Sequence, residues 1–324
     1  QRPPVQTFKG SSISFNIDSE LTEGLKNLAH RTNSTLYTTL LAAYSILLAK
    51  YTGQEDIIIG TPVSGRTHAD AKDIMGMFVN TVAIRTYPRG EKTFLQLVEE
   101  VKRDTLEALE NQDYPYDVLV EKLELKRDLS RNPLFDTMFT IQNVERVDLI
   151  RLGEIEGIPY PFDNMTAKFD LTFTIEEKDN QLILNIEYAK DLFNPETIKQ
   201  VSNHYVQLLN KVIDEHSVSI SQLNIITEKE KQQLLSEFNN TDLAYPFEKT
   251  IHEIFEEQAQ RAPEQVAVVY KQDTLTYKEL NQRANQLARY LREKGVKEES
   301  IVGIMMDRSL EMMISILGVL KAGG

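Results

Sequence analysis

Three stretches place their larger side chains at every second position: Phe135, Thr137, Phe139 and Ile141; Phe169, Leu171, Phe173 and Ile175; Leu182, Leu184, Ile186 and Tyr188. Successive side chains of a strand point to opposite faces, so this pattern specifies strands with one wet face. Helical periods flank them. Leu21, Leu25, Leu28 and Ala29 share one face over residues 19–32, and Leu36, Leu40, Leu41, Tyr44, Leu47 and Leu48 make residues 35–51 a nearly fully buried helix. Strands and helices follow no simple βαβ rhythm, which places the chain in a mixed α/β class.

Punctuation marks further elements. Ile57-Ile58-Ile59 predicts a short buried strand ended by Gly60 and Pro62. Residues 78–85 predict another, with Asn80 among apolar neighbours on one face. The capping-box spacing Thr93-x-x-Gln96 opens a helix that ends near Asn111, and Asn194-Pro195-Glu196 opens one through Ile198, Val201, Tyr205, Leu208 and Val212.

Between His216 and Lys249 the pattern weakens around one short amphipathic helix of Leu234, Leu235 and Phe238. A new rhythm starts with the capping box Thr250-x-x-Glu253. Residues 266–270 predict a strand that turns at Gln272-Asp273 into a hairpin; Thr276-x-x-Glu279 caps a helix stopped by Gly295. Residues 301–306 predict a buried strand, and Ser309 the cap of a last helix. The expected organisation is a domain over 1–215, a linker over 216–249 and the start of a second domain over 250–324. The opening Gln1, without an initiator Met, and the closing Gly323-Gly324 add the expectation that the chain continues in both directions.

Composition removes several functions. With no cysteine among 324 residues there is no disulfide framework and no thiolate nucleophile or ligand. A formal charge of −13 opposes nucleic-acid binding, and no apolar run is long enough for a membrane span, so a cytoplasmic protein is expected. His30, His68, His204, His216 and His252 stand singly, and the sequence lacks Gly-x-Ser-x-Gly, Gly-x-x-x-x-Gly-Lys-Ser/Thr and Gly-x-Gly-x-x-Gly.

Four motifs carry the specific signal: Gly60-Thr61-Pro62-Val63-Ser64-Gly65-Arg66; Ile74-Met75-Gly76-Met77-Phe78-Val79-Asn80-Thr81-Val82; Asn111-Gln112-Asp113-Tyr114-Pro115-Tyr116; and Arg127-Asp128-Leu129-Ser130-Arg131-Asn132-Pro133-Leu134-Phe135-Asp136. In this order they closely resemble the second half of a nonribosomal peptide synthetase condensation domain. Leu275-Thr276-Tyr277-Lys278-Glu279-Leu280 and Leu320-Lys321-Ala322-Gly323-Gly324 resemble the first core motifs of an adenylation domain. The resemblance implies a lobe with a chloramphenicol acetyltransferase-like fold, then a linker and the beginning of an adenylate-forming domain.

The resemblance also implies an activity. Condensation domains join a carrier-bound acyl thioester to an aminoacyl amine inside a tunnel between two lobes, using the second His of His-His-x-x-x-Asp-Gly. That motif is absent here, so no catalytic residue is expected in this sequence and a missing N-terminal lobe becomes a partner. Upstream and downstream peptidyl carrier domains, each bearing phosphopantetheine, are the others. ATP and Mg belong to a complete adenylation domain, and no cofactor is expected on this stretch itself. The tunnel or structural candidates are Ser64, Arg66, Asn80, Thr81, Asp113, Arg131 and Asn132. Arg66 is expected to pair with the Asp of the absent motif, because a fixed guanidinium binds a carboxylate through two hydrogen bonds. Asn80 is read either as a contact for pantetheine or acceptor or as a structural amide. Alternatives of other kinds are a non-catalytic docking scaffold and an epimerizing or ester-forming relative on the same fold.

Overall fold

The computed structural model describes residues 2–71, 73–126, 128–142, 150–152, 155–157, 165–244 and 246–324. Arg127 of the fourth motif lies outside them. The chain divides into two compact units, Gln1–Asn239 and Asn240–Gly324.

The first unit runs β1 (Gly10–Ile17), α1 (Ser19–Arg31), α2 (Leu36–Thr52), β2 (Ile57–Val63), β3 (Asn80–Thr86), α3 (Phe94–Glu110), α4 (Tyr116–Lys122), β4 (Thr137–Gln142), β5 (Ile150–Leu152), β6 (Ile155–Gly157), β7 (Leu171–Lys178), β8 (Gln181–Ala189), α5 (Pro195–Asp214) and α6 (Glu228–Gln232). Among the described residues six strands form one sheet in the order β1-β8-β7-β4-β2-β3. The β4 pairings with β2 and β7 are parallel and the rest antiparallel. Helices α1, α2, α3 and α5 pack on the sheet. Their apolar stripes meet the inward positions of the alternating strands, so Phe139, Phe173, Ile175, Leu182, Leu184 and Ile186 are fully buried.

The buried α2 is the hub of this core. Tyr44 stacks between Phe139 and Phe173 at ring separations of 5.4 and 4.3 Å, and Phe173 meets Tyr205 edge-on at 5.5 Å. Buried hydroxyls need partners. Tyr205 donates to the Leu40 carbonyl at 2.9 Å, and Tyr44 pairs with the Thr137 hydroxyl.

Two strand boundaries differ from the sequence reading. Gly60 and Pro62 do not end β2, which continues to Val63 in antiparallel register with β3. The glycine is tolerated because Phe135 fills the space its side chain would take, and the proline falls beyond the single Gly60–Met138 bridge to β4. Strand β3 begins only at Asn80, because Gly76 to Val79 belong to the preceding loop.

The second unit holds α7 (Ile251–Arg261), β9 (Val266–Tyr270), β10 (Asp273–Thr276), α8 (Tyr277–Glu293) and α9 (Leu310–Ala322). Thr250 and Thr276 form complete capping boxes with Glu253 and Glu279. Leu275, Leu280, Ala284, Ile314 and Leu317 make its core. The hairpin turns one residue earlier than predicted: Lys271 takes the left-handed φ of 55° that a two-residue turn requires, and Asp273 already pairs with Tyr270. The predicted strand over residues 301–306 is absent. No described strand offers it a ladder, and Ile301 and Met305 are fully exposed.

Candidate functional site

The four motifs converge on one end of the first unit. Strand β2 delivers Thr61 to Val63 to the loop that follows, and Gly65 turns it with a φ of +64°. Any side chain at Gly65 would collide with the Phe78 carbonyl. Ser64 Oγ accepts the Arg66 amide at 3.4 Å. The Arg66 guanidinium then organises the rest of the loop. Its Nη1 donates to the carbonyls of Ala71 and Ile74, the latter at 2.9 Å, and its Nη2 donates to the Gly76 carbonyl at 3.1 Å. The cation lies 4.4 Å over the Phe78 ring. Tied down in this way, the loop turns Ile74, Met75, Met77 and Val79 outward; Met75 is 98 % exposed and Met77 90 %.

Asn80 performs the same task for the neighbouring motif. Its Nδ2 donates to the carbonyls of Gln112 and Tyr114 at 2.7 and 2.9 Å, and its Oδ1 accepts the Tyr116 amide at 3.3 Å. Both amide hydrogens are thereby used on the 112–116 backbone. Thr81, next on the strand, pairs with Pro62 across the sheet. Asp113 Oδ1 accepts from the Thr67 hydroxyl at 3.2 Å, so the Arg66 loop and the 112–116 turn also touch directly. Pro115 stands at the N-cap of α4 with φ −64° and supplies no side-chain cap.

The fourth motif is held by charge. Arg131 Nη1 lies 3.4 Å from Asp136 Oδ2, and Asn132 Nδ2 donates to the Lys168 carbonyl at 3.1 Å. The sequence assigns no individual role to three further participants, Arg2, Asp128 and Asp136. Arg2 forks onto both oxygens of Asp170, reaching Oδ1 at 3.0 Å, and also donates to the Ser130 carbonyl. Asp128 accepts the Ser130 amide and hydroxyl at 2.8 and 2.7 Å, which holds its carboxyl below the ordinary range. Burial, followed by the nearby Asp170 charge, pushes the Asp136 carboxyl above that range, and its Oδ1 has no hydrogen-bond partner among the described residues. Acidic residues at a strand entrance were the available signal, but only the tertiary pairing of Arg2 with Asp170 gives it meaning. An open groove of about 720 Å³ runs alongside, lined by Tyr116, Val120, Leu125, Leu129, Arg131 and Pro133 among others.

The expected sites thus form two groups: Ser64, Arg66, Asn80, Thr81 and Asp113 in one connected loop system, Arg131 and Asn132 in the ion-paired segment beside it. Among the described residues no group of three or more His, Asp or Glu is placed to hold a metal ion.

A mixed sheet backed by helices, with loops tied down at one end, is the fold of a condensation-domain lobe, and residues 1–235 match the condensation domain family. The chain belongs to that family, and its residues 255–324 match the AMP-binding enzyme family. It is 47 % identical to gramicidin S synthase 2 of Brevibacillus brevis over its whole length, spanning 7 % of that relative, and 48 % identical to bacitracin synthase 3 of Bacillus licheniformis, spanning 5 %. Among solved structures, the four-domain nonribosomal peptide synthetase holo-AB3403, bound to AMP and glycine, superposes with a TM-score of 0.87 at 25 % identity; 99 % of this chain covers 25 % of that one. The X-domain from teicoplanin biosynthesis shares the fold, with a TM-score of 0.61 at 23 % identity over 70 % of this chain and 52 % of that one. No helix among the described residues is long and apolar enough to cross a membrane.

Proposed function

We propose that this chain works in an elongation module of a nonribosomal peptide synthetase. Residues 1–215 supply one wall of an amide-forming condensation tunnel, residues 216–249 lead on from it with Ile220 and Leu223 packed into the same core, and residues 250–324 begin an amino-acid-activating adenylation domain. The observation that carries this reading is the loop anchored by Arg66. It spends a cation and three hydrogen bonds on holding Ile74, Met75, Met77 and Val79 toward solvent, an arrangement suited to a second lobe that covers them.

Arg66 retains capacity for that second lobe. Nη1 is saturated by two carbonyls, whereas Nε–H and one Nη2–H make no bond among the described residues. The same two nitrogens form the side-on fork with which Arg85 grips Asp56, at 2.8 and 2.6 Å. In this reading Arg66 keeps its loop ordered and receives the carboxylate of a His-His-x-x-x-Asp-Gly motif on that edge. Asn80, Thr81, Asp113, Arg131 and Asn132 hold the wall's shape, and Asn80 has no amide hydrogen left for a pantetheine arm. Substrates arrive as thioesters on carrier-borne phosphopantetheine. The reaction forms one amide bond and releases one thiol, with the proton of the attacking amine passing to that thiolate.

The sequence has no His-His pair, so the chain alone is inert in this reading. The test compares amide formation from loaded carrier proteins by this chain alone and by a module that joins it to a His-His-x-x-x-Asp-Gly lobe. Only the module should form dipeptide, and Arg66→Ala in the module should lower the rate at least tenfold with the fold intact. Dipeptide from the chain alone, or an unchanged Arg66→Ala rate, overturns the reading.

A further inference from the structure

Among the described residues β1 is one edge of the six-stranded sheet and β3 the other. An edge strand exposes unpaired backbone groups, and folded chains ordinarily guard it with a charge, a proline or a bulge. Strand β3 is guarded, since it carries Arg85, which forks onto Asp56. Strand β1 is not. Its sequence, Gly10-Ser11-Ser12-Ile13-Ser14-Phe15-Asn16-Ile17, has no charge and no proline, and its register with β8 runs from Gly10–Ala189 to Ile17–Leu182 without a bulge.

Two bonds at the start of the strand fix which groups face outward. Lys190 donates to the Lys9 carbonyl at 3.0 Å, whereas Gly10 donates away from β8, to the Met165 carbonyl at 2.8 Å. Backbone groups alternate in direction along an antiparallel ladder. The odd positions therefore bond β8, and Ser12, Ser14 and Asn16 turn their backbone N–H and C=O groups outward, where they meet no partner among the described residues. All three residues are exposed. On the core face Ile13 and Phe15 are only half-buried, although their β8 neighbours Ile186 and Leu184 are fully buried.

The strand is complementary to itself. Setting Ser14 opposite Ser14 of an antiparallel second copy puts Ser12 opposite Asn16 and Ile13 opposite Phe15. Outward-facing residues then exchange both N–H···O bonds, and the apolar pairs cover each other on the core face. This register uses every free outward group and no occupied one, because β1 of the second copy ends at Ile17, opposite Ser11 and one residue short of the Gly10 amide that Met165 takes. No like charges meet along it, and it carries Lys9 toward the acidic start of α1, Asp18 and Glu20, in the second copy.

We propose that β1 pairs antiparallel with β1 of a second copy of this chain, about a two-fold axis at Ser14, and so joins two six-stranded sheets into one. The pairing does not depend on the condensation reading.

Sedimentation equilibrium of the 324-residue chain should show a reversible dimer. Amide exchange read by NMR at rising protein concentration should slow at Ser12, Ser14 and Asn16, while Ser11, Ile13 and Phe15, already bonded to β8, keep their rates. Ser14→Pro removes an N–H that β8 does not use, so the sheet should stay folded and the dissociation constant rise about tenfold or more. Ser14→Lys sets two like charges opposite each other and should weaken the dimer by a separate route, which covers the case in which the proline variant does not fold. A chain that stays monomeric across the concentration range, protection that rises equally at odd and even positions, or a dimer that either folded variant leaves intact overturns the proposal.

Discussion

Gly60 on β2 and the ring of Phe135 occupy adjoining space so tightly that a Cβ on the glycine would overlap the ring. The ring has no easy retreat, since it stacks on Phe169 at 5.5 Å and contacts Tyr116 at 5.5 Å. Two motifs 75 positions apart are therefore keyed to each other. In a strand, replacing glycine by alanine ordinarily helps. Here Gly60→Ala should destabilise the first unit by about 1–3 kcal/mol through overpacking, and Phe135→Leu in the same chain should recover part of the loss. Equilibrium urea unfolding of the two single variants and the double variant checks the sign.

Asn80 joins β3 to the 112–116 turn through three hydrogen bonds. Asn80→Ala removes all three and leaves the half-buried Gln112 carbonyl, the Tyr114 carbonyl and the Tyr116 amide to find water, at a cost of about 1–3 kcal/mol. Because the loss is local, hydrogen exchange should accelerate at residues 112–117 well before it does in β7 or β8. Uniform acceleration across the sheet would show instead that the amide supports the whole core.

Much of this fold was legible because its helix starts are chemically explicit: Thr93, Thr250 and Thr276 all form the capping boxes their spacing predicts. Strands were read where alternation was strong. Strand β1 was passed over because Ser11, Ser12 and Ser14 dilute its inward Ile13, Phe15 and Ile17, although it pairs along its whole length with β8. Residues 301–306 were misread for the opposite reason. Their apolarity is real, but a strand is defined by a ladder partner as well as by composition. At the candidate site, motif order pointed to the right loops, whereas the partners of Arg66 and Asn80 are backbone carbonyls that no side-chain pattern records. Residues 216–226, read as connection, contribute Ile220 and Leu223 to the first core, and Ser219 bridges to Thr93.

His204 on α5 ties this trailing segment down. Its Nε2 meets both oxygens of Glu230 at 2.9 Å, while its Nδ1 meets the Tyr51 hydroxyl at 2.7 Å. Burial alone would raise the Glu230 carboxyl; the Thr227 amide and hydroxyl and the His204 imidazole outweigh it and hold it at about 2. A carboxyl depressed in the folded state stabilises above its ordinary value of 4.5 and loses that contribution as pH falls toward 2. Amides of residues 227–232 should therefore lose protection between pH 4.5 and 2. Glu230→Gln should flatten that dependence and leave protection of β7 unchanged, as measured by hydrogen exchange across the same range.

Lys321 is a buried charge in the second unit. Its side chain is 4 % exposed, and its ammonium donates to Asn281 and Asn285 at 2.8 and 2.9 Å and to the Glu256 carboxylate. One lysine thus fastens α9 to α8 and α7, with the Phe255 ring 5.7 Å from the charge. Removing one partner of a buried pair is worse than exchanging the pair for apolar groups, because the survivor stays desolvated. Glu256 is 40 % exposed and can rehydrate, whereas Lys321 cannot. Glu256→Gln should therefore cost more than Lys321→Met, which retains the apolar stem and leaves acceptors that reach water. Both should lower the melting temperature of the second unit and leave that of the first unchanged, as read by calorimetry of the full chain. The reverse order would mean that the two asparagines alone satisfy the ammonium.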